Sequence, residues 1–180
     1  MPSVLETKRL LLRKIQREDV TPIFECWMQD EDVSRYMWWK ASKDRNDTEE
    51  FVQFELGNLD NNRWNRWIIV TKDTKEIIGT CLIFWNEEDG HFDISYNLGK
   101  KYWGKGYATE AMVRAMRYGT EVLRIKEYIT SCARENKVSA HVLEKLGFQY
   151  EKDVPYECNG GEIKTVGKLY RWRYPLAGRL

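Results

Sequence analysis

The sequence is poor in histidine and has no paired cysteines. Its 180 residues include two histidines, His91 and His141, and four scattered cysteines, Cys26, Cys81, Cys132 and Cys158. No CxxC pair occurs, so the ligand spacing of a structural zinc site is missing and no metal is expected. Isolated thiols of this kind read as reduced, which points to a cytoplasmic protein. No apolar run approaches the ~20 residues that a membrane-spanning helix needs. Glu6, Lys8 and Arg9 stand where a signal peptide would be apolar, so neither targeting nor a membrane partner is expected. Charge of one sign is lacking too. The 29 basic and 28 acidic residues leave a net +1, unlike the strongly basic domains that bind nucleic acid.

What is present is enough to fold. Apolar residues make up 42% of the chain and aromatics 13%, a composition that supports a packed core. A chain of this length buries roughly 70% of its unfolded surface. With no linker and no internal repeat, residues 1–180 are expected to form a single domain.

The hydrophobic pattern alternates between two periods. Leu10, Leu11 and Leu12 read as a first strand, and Asp19 precedes a helix with Ile23, Phe24, Trp27 and Met28 on one face. A second helix is expected over Thr48 to Leu59. Residues 66–72 (RWIIVTK) and 76–85 (EIIGTCLIFW) read as a hairpin, followed after a turn at 86–90 by a fourth strand over 92–98 (FDISYNL). A helix from Gly106 to Leu123 follows, its buried face rich in alanine, methionine and Gly119. Tyr128 to Cys132 reads as a fifth strand and 139–146 as a short helix closed by Gly147. Strands at 148–156 and 165–174 complete the chain around Asn159, Gly160 and Gly161. The order β-α-α-β-β-β-α-β-α-β-β makes one α/β domain on a mostly antiparallel sheet.

The stretch KKYWGKGYATEA, residues 100–111, opens the long helix with Gly104 and Gly106. Such a turn suits phosphate, because amide groups at a helix start lack partners and the helix dipole is positive there. Glycine lets the ligand approach the backbone where a Cβ would block it. Thr109 can add a hydroxyl and Lys105 a nearby charge. The P-loop pattern GxxxxGK[ST] is absent. The dinucleotide pattern GxGxxG meets Thr109 at its third place, and follows a meander rather than a parallel βαβ unit.

The pattern that fits is [Q/R]-x-x-G-x-[G/A], with Lys101 at its first place. Together, YNLGKKYWGKGYATEAM and NKVSAHVLEKLGF resemble the GNAT N-acetyltransferases, in the branch of the ribosomal-protein N-terminal (alanine/serine) acetyltransferases. The opening TKRLLLRKIQREDV resembles that branch too. The resemblance spans residues 5–175. It implies a mixed sheet of about seven strands flanked by about four helices, with strands four and five splayed. It further implies acetyl-coenzyme A as co-substrate, held by Lys101, Trp103, Gly104, Lys105, Gly106, Tyr107, Ala108 and Thr109. The Leu98 main chain would pair with the pantetheine arm, and its N–H would polarise the acetyl carbonyl. Asn136 matches the family's pantetheine-binding Asn, although Asn is also a favoured helix cap.

The reaction implied is direct transfer of acetyl to an amine acceptor, a peptide or protein N-terminus or a small molecule, by a monomer or homodimer. Leu143 replaces the tyrosine that many members use as general acid. Ser139 occupies the position given that role in the resembled branch, or simply closes a helix turn. Asp93 and Glu157 are the candidate bases, each also readable as a solvated surface carboxylate. The run Met37-Trp38-Trp39 belongs to the acceptor wall or to the core. The alternative to an enzyme is a non-catalytic coenzyme A-binding or regulatory module, which the missing tyrosine keeps open.

Overall fold

A computed structural model describes residues 4–174. Its first strand, β1 (Val4–Glu6), is one that the hydrophobic pattern does not announce, for only Leu5 is buried within it. It pairs antiparallel with β2 (Leu10–Arg13), where Leu10 and Leu12 point inward. At the end of β2 the Arg13 guanidinium grips the buried Asp19 carboxylate through two bonds of 2.7 Å. Asp19 also accepts from the Gln16 N–H, which fixes the chain's entry into the next helix.

That helix is not uniform. A 3-10 turn at Arg17–Asp19 passes into α1 (Val20–Ile23) and ends in a π-helical segment, Phe24–Met28, still carrying Ile23, Trp27 and Met28 on its buried face. The short α2 (Glu31–Ser34) is capped by the Asp30 side chain. The longer α3 (Arg45–Gly57) begins three residues before the expected Thr48, because Asp44 caps it through the Asn46 N–H at 2.7 Å.

A meander follows, of β3 (Trp64–Thr71), β4 (Ile77–Asn86) and β5 (His91–Leu98). With β1 and β2 these form a five-stranded antiparallel sheet in the order β1-β2-β3-β4-β5. Both faces are covered, and successive β3 residues divide between them: Trp67 and Ile69 in one core, Ile68 and Val70 in the other. The second core lies under α1 and α3. The first lies under α4 (Tyr107–Glu121), whose Ala111, Met112, Ala115, Met116 and Gly119 are buried. Gly119 is there for clearance, since a Cβ at that position would sit 1.9 Å from the Tyr128 hydroxyl.

The remaining elements are β6 (Glu127–Ala133), α5 (Lys137–Lys145), β7 (Gln149–Cys158) and β8 (Ile163–Arg173). Gly147, at φ +88°, closes α5 as expected. These strands form a separate antiparallel sheet, β6-β8-β7. The fold is therefore α/β with eight strands in sheets of five and three, one more strand than expected. The fourth and fifth expected strands are β5 and β6. They lie side by side, joined by a Thr130 side-chain bond to the Ile94 carbonyl at 3.3 Å, but no ladder connects them. They are splayed, and the gap is the gateway to the site. No helix of the described residues is long and apolar enough to cross a membrane.

Candidate active site

The glycine turn is built as a cradle. Gly104 and Gly106 have φ of +71° and +77°, a left-handed backbone that side chains resist, and a Cβ at Gly104 would enter open space. Gly106 caps α4, and the first bond across the turn runs from the Glu110 N–H to the Gly106 carbonyl at 3.1 Å. The N–H groups of Tyr107, Ala108 and Thr109 therefore precede the helical ladder, facing the positive end of the dipole. This geometry fits a pyrophosphate.

A residue far away in sequence reinforces it. Arg9, just before β2, donates from Nη1 to the Lys105 carbonyl at 3.0 Å and lies over the Tyr107 ring at 4.4 Å. Its Nε bonds Glu110 at 2.6 Å, and the same carboxylate takes the Thr7 hydroxyl, also at 2.6 Å. This second cation beside the turn was not among the expected residues, and only the three-dimensional contact reveals it. Lys101 is engaged elsewhere, on Glu76 at 2.9 Å and against the Tyr102 ring.

From the cradle the chain leads back to the edge of β5. The Gly99 N–H bonds Ile78 of β4 at 2.9 Å, whereas the Leu98 carbonyl accepts from the Trp103 indole at 2.8 Å. The two peptide groups of adjacent strand residues point to opposite sides, so both Leu98 groups face the open edge toward β6. Trp103 is thus placed at both the cradle and the expected pantetheine edge.

Alternation along β5 separates its side chains. Ile94, Tyr96 and Leu98 face the α4 core, while Ser95 and Asn97 line the opposite cavity. Asp93 shares the parity of Ser95 and Asn97. Burial pushes its carboxyl up to about 7, against opposing bonds from Thr130 and from the Ile94 N–H. The nearby Asp93 charge also raises the Tyr156 phenol, which burial has already lifted. Glu157, the other candidate base, turns the other way. It is exposed on β7 and pairs with Lys164 at 3.2 Å.

Ser139 and Asn136 meet at the start of α5. The Asn136 side chain caps the helix through the Ser139 N–H at 3.1 Å, so its capping role is realised. The Ser139 hydroxyl lies 2.9 Å from the Tyr96 hydroxyl. Burial raises the Tyr96 phenol, so it keeps its proton. Tyr96 was not among the expected residues, although its parity with Ile94 and Leu98 was a readable signal.

A cavity of about 450 Å³ lies between the sheet and α3. Met37, Trp38 and Trp39 form one wall and Phe51 and Phe54 another, with Arg66, Thr80, Ser95 and Asn97 from the sheet at its floor. Among the described residues, no group of three or more His, Cys, Asp or Glu gathers to hold a metal.

Residues 9–149 match the family model described as an acetyltransferase (GNAT) domain. The chain is 34% identical over 148 residues to an uncharacterized N-acetyltransferase, p20, of Bacillus licheniformis, covering 82% of this chain and 83% of that one. It is 28% identical to the spermidine N(1)-acetyltransferase of Escherichia coli K12, covering 87% and 80%. Among solved structures it is similar to the microcin C7 self-immunity acetyltransferase MccE in complex with acetyl-CoA and AMP, with a TM-score of 0.83 at 20% identity over 97% and 98%. A ribosomal-protein-S5-alanine acetyltransferase from Vibrio fischeri gives 0.79 at 19% identity over 94% and 96%. These similarities span several branches of one superfamily rather than the ribosomal-protein branch alone.

Proposed function

The chain belongs to the GNAT acetyltransferase family, and from that premise we propose that it moves an acetyl group from acetyl-coenzyme A directly to an α-amine. The acceptor is a peptide N-terminus or a small molecule carrying the same group, and the work is done in the cytoplasm. One observation carries the reading. The glycine cradle, the open edge at Leu98 and a carboxylate titrating near 7 lie along a single β5–α4 unit.

Each residue has a role in this scheme. The amides of Tyr107 to Thr109 hold the pyrophosphate, with Lys105 contributing charge and Arg9, paired with Glu110, bracing the turn. The Leu98 N–H hydrogen-bonds the acetyl oxygen, where negative charge develops during transfer. Bound acetyl-coenzyme A supplies the acyl group as a thioester, with a thiolate as the leaving group. Asp93 takes the proton that the incoming ammonium must lose through a chain of waters, because five residues of strand, about 17 Å, separate it from Leu98, and a group titrating near 7 suits that task at neutral pH. The Ser139 hydroxyl, held in place by Tyr96, donates a hydrogen bond to the departing sulfur, and the thiolate takes its proton from solvent after leaving. Glu157, spent on Lys164 at the surface, has no part in this scheme.

An α-amine acceptor matches the limited base power of one carboxylate. Its pKa of about 7.7–8.0, against about 10.4 for lysine, leaves it partly neutral at pH 7. The deciding experiment measures coenzyme A release with peptides of free N-terminus and blocked lysines, and with the converse set. Turnover confined to lysine side chains or spermidine defeats the α-amine assignment. Binding of acetyl-coenzyme A with no release on any amine defeats the enzyme reading in favour of a binding module.

A further inference from the structure

One wall of the cavity is tied to a sheet that contributes nothing to its floor. Arg66, Thr80, Ser95 and Asn97 on the floor come from β3, β4 and β5, whereas the wall from Met37 to Lys40 is bonded to the β7–β8 hairpin. The Tyr156 hydroxyl of β7 donates to the Tyr36 carbonyl at 3.1 Å. The Asn159 N–H, in the hairpin turn, donates to the Met37 carbonyl at 2.6 Å. Lys40 pairs with Glu162, and its stem runs against Gly160, where a Cβ would lie 2.7 Å from Lys40 Cγ. Because no ladder joins β5 to β6, residues 36–40 bridge the two sheets beside the cavity.

The two ends of this bridge are unequal. On the side of the first sheet, the Met37 N–H donates to the Ser34 carbonyl at 2.8 Å and the Ser42 N–H to that of Met28 at 2.7 Å. Ser34, Ser42 and Met28 are all buried. At the hairpin end the Lys40 and Glu162 side chains are 50% and 59% exposed, and an ion pair so open to solvent holds little. The turn is closed by its own bonds, among them the Gly161 N–H to the Cys158 carbonyl at 3.2 Å, so it keeps its shape when the bridge leaves. Trp38, 65% exposed, has little burial to lose on moving.

We propose that residues 36–40 form a strap that parts from the β7–β8 hairpin to admit the acceptor and closes over it, with Tyr156 and Glu162 as positioning residues for that step. This rests on the acetyl-transfer reading, which leaves the cavity to the acceptor amine, and adds a moving wall to it. Closed, the strap holds Trp38 and Trp39 across the cavity from Phe51 and Phe54. Released, it frees that wall on the side of the β5–β6 gap, so the acceptor enters beside the thioester. The cradle and the Leu98 edge make no hydrogen bond to the strap among the described residues, so the strap acts on the acceptor step and not on the cofactor step.

Native-state hydrogen exchange tests the strap without any ligand. The Asn159 amide is expected to exchange about tenfold or more faster than the paired amides of β4, because the strap opens without global unfolding. Tyr156→Phe is expected to speed Asn159 by about threefold to tenfold, the weight of one hydrogen bond, and to leave the β4 amides unchanged. Fraying of the turn alone would not feel the Tyr156 hydroxyl. An unchanged Asn159 rate, or a variant that speeds every amide equally, therefore overturns the strap and leaves a fixed wall. A Lys40→Cys/Gly160→Cys pair tests the step that the strap serves, since the two Cβ positions fall within the roughly 3.5–4.5 Å that a disulfide spans. Initial rates with a free-N-terminus peptide are taken before released coenzyme A can reduce the bridge. The oxidised form is expected to lose about tenfold or more in kcat/KM for the peptide, with acetyl-coenzyme A affinity unchanged and the loss reversed by reductant. Both redox forms carry the same strained Cys at position 160, so that strain cancels. Equal kcat/KM in the two forms overturns the gating. If no amine is acetylated while Asn159 responds as expected, only the reading on which the strap rests is defeated.

Discussion

The Trp103 indole donates to the Leu98 carbonyl at 2.8 Å, which occupies the main-chain acceptor that the proposed scheme leaves for the pantetheine arm. The indole is 41% exposed, so it has room to leave. Binding of coenzyme A is expected to displace it and shift the tryptophan emission. In Trp103→Phe that spectral change should vanish while the other seven tryptophans give a constant background. Because one hydrogen bond, worth about 0.5–1.5 kcal/mol net, no longer has to be broken, the variant should bind up to about tenfold more tightly. Weaker binding to Trp103→Phe would make the indole part of the cofactor site instead.

Gly106 gives a second test, with a correction built in. A carboxylate in a helix's first turn is favoured by the dipole, which would leave the fold of Gly106→Glu intact. At φ +77°, however, any side chain is strained, by roughly 1–2 kcal/mol. The pair Gly106→Ala and Gly106→Glu separates the two effects. Both should melt several degrees below wild type without ligand. Ligand at a hundred times its dissociation constant adds about 2.7 kcal/mol, a shift of roughly 5–10 °C for a chain this size. Wild type should show that shift, Gly106→Ala a part of it and Gly106→Glu almost none. Equal shifts in all three would place the cofactor away from the turn.

What the sequence discloses about this site follows the range of each interaction. Gly104, Gly106 and Gly147 are legible because a positive φ is a local demand, met at least strain by glycine. The meander and α4 are legible from period alone. β1 is not, for three residues with one buried side chain give no periodicity. Arg9 is separated from Glu110 by 101 positions, so nothing local marks the ion pair that braces the cradle. Asn97 and Tyr96 are intermediate. Their faces follow from alternation, but their neighbours do not. Glu157 faces outward for the same reason that alternation works, since its neighbours Tyr156 and Cys158 take the inward positions.

Gly119 and Tyr128 test how closely α4 is packed. Gly119→Ala drives a methyl to within 1.9 Å of the Tyr128 hydroxyl, and should cost at least 2 kcal/mol by the usual range for overpacking, roughly 1–3 kcal/mol. That hydroxyl is buried with no partner among the described residues, so Tyr128→Phe alone should stabilise by about 1 kcal/mol. In the double variant the phenol oxygen is gone and most of the Gly119→Ala cost should be recovered. Chemical denaturation of the four proteins gives the coupling directly. Additive effects would mean that α4 moves away from β6 rather than clashing.

As the proposed base, Asp93 would link catalysis to stability with opposite signs. Its carboxyl titrates near 7 in the folded chain, because burial disfavours the charge, and near 3.9 when unfolded. Between those values the folded state binds more protons than the unfolded one. Stability from this group is therefore full below about pH 4 and declines as pH rises to about 7, by a few kcal/mol at most. Asp93→Asn carries no such penalty. It should melt above wild type at pH 8, by more than at pH 5. As the base, though, Asp93 must be ionised, so wild-type kcat/KM should rise with pH to a plateau above about 7. The asparagine variant should lose that inflection and roughly a hundredfold or more in rate. A variant stabilised at pH 8 that kept wild-type turnover would leave Asp93 as a buried acid without a role in proton transfer.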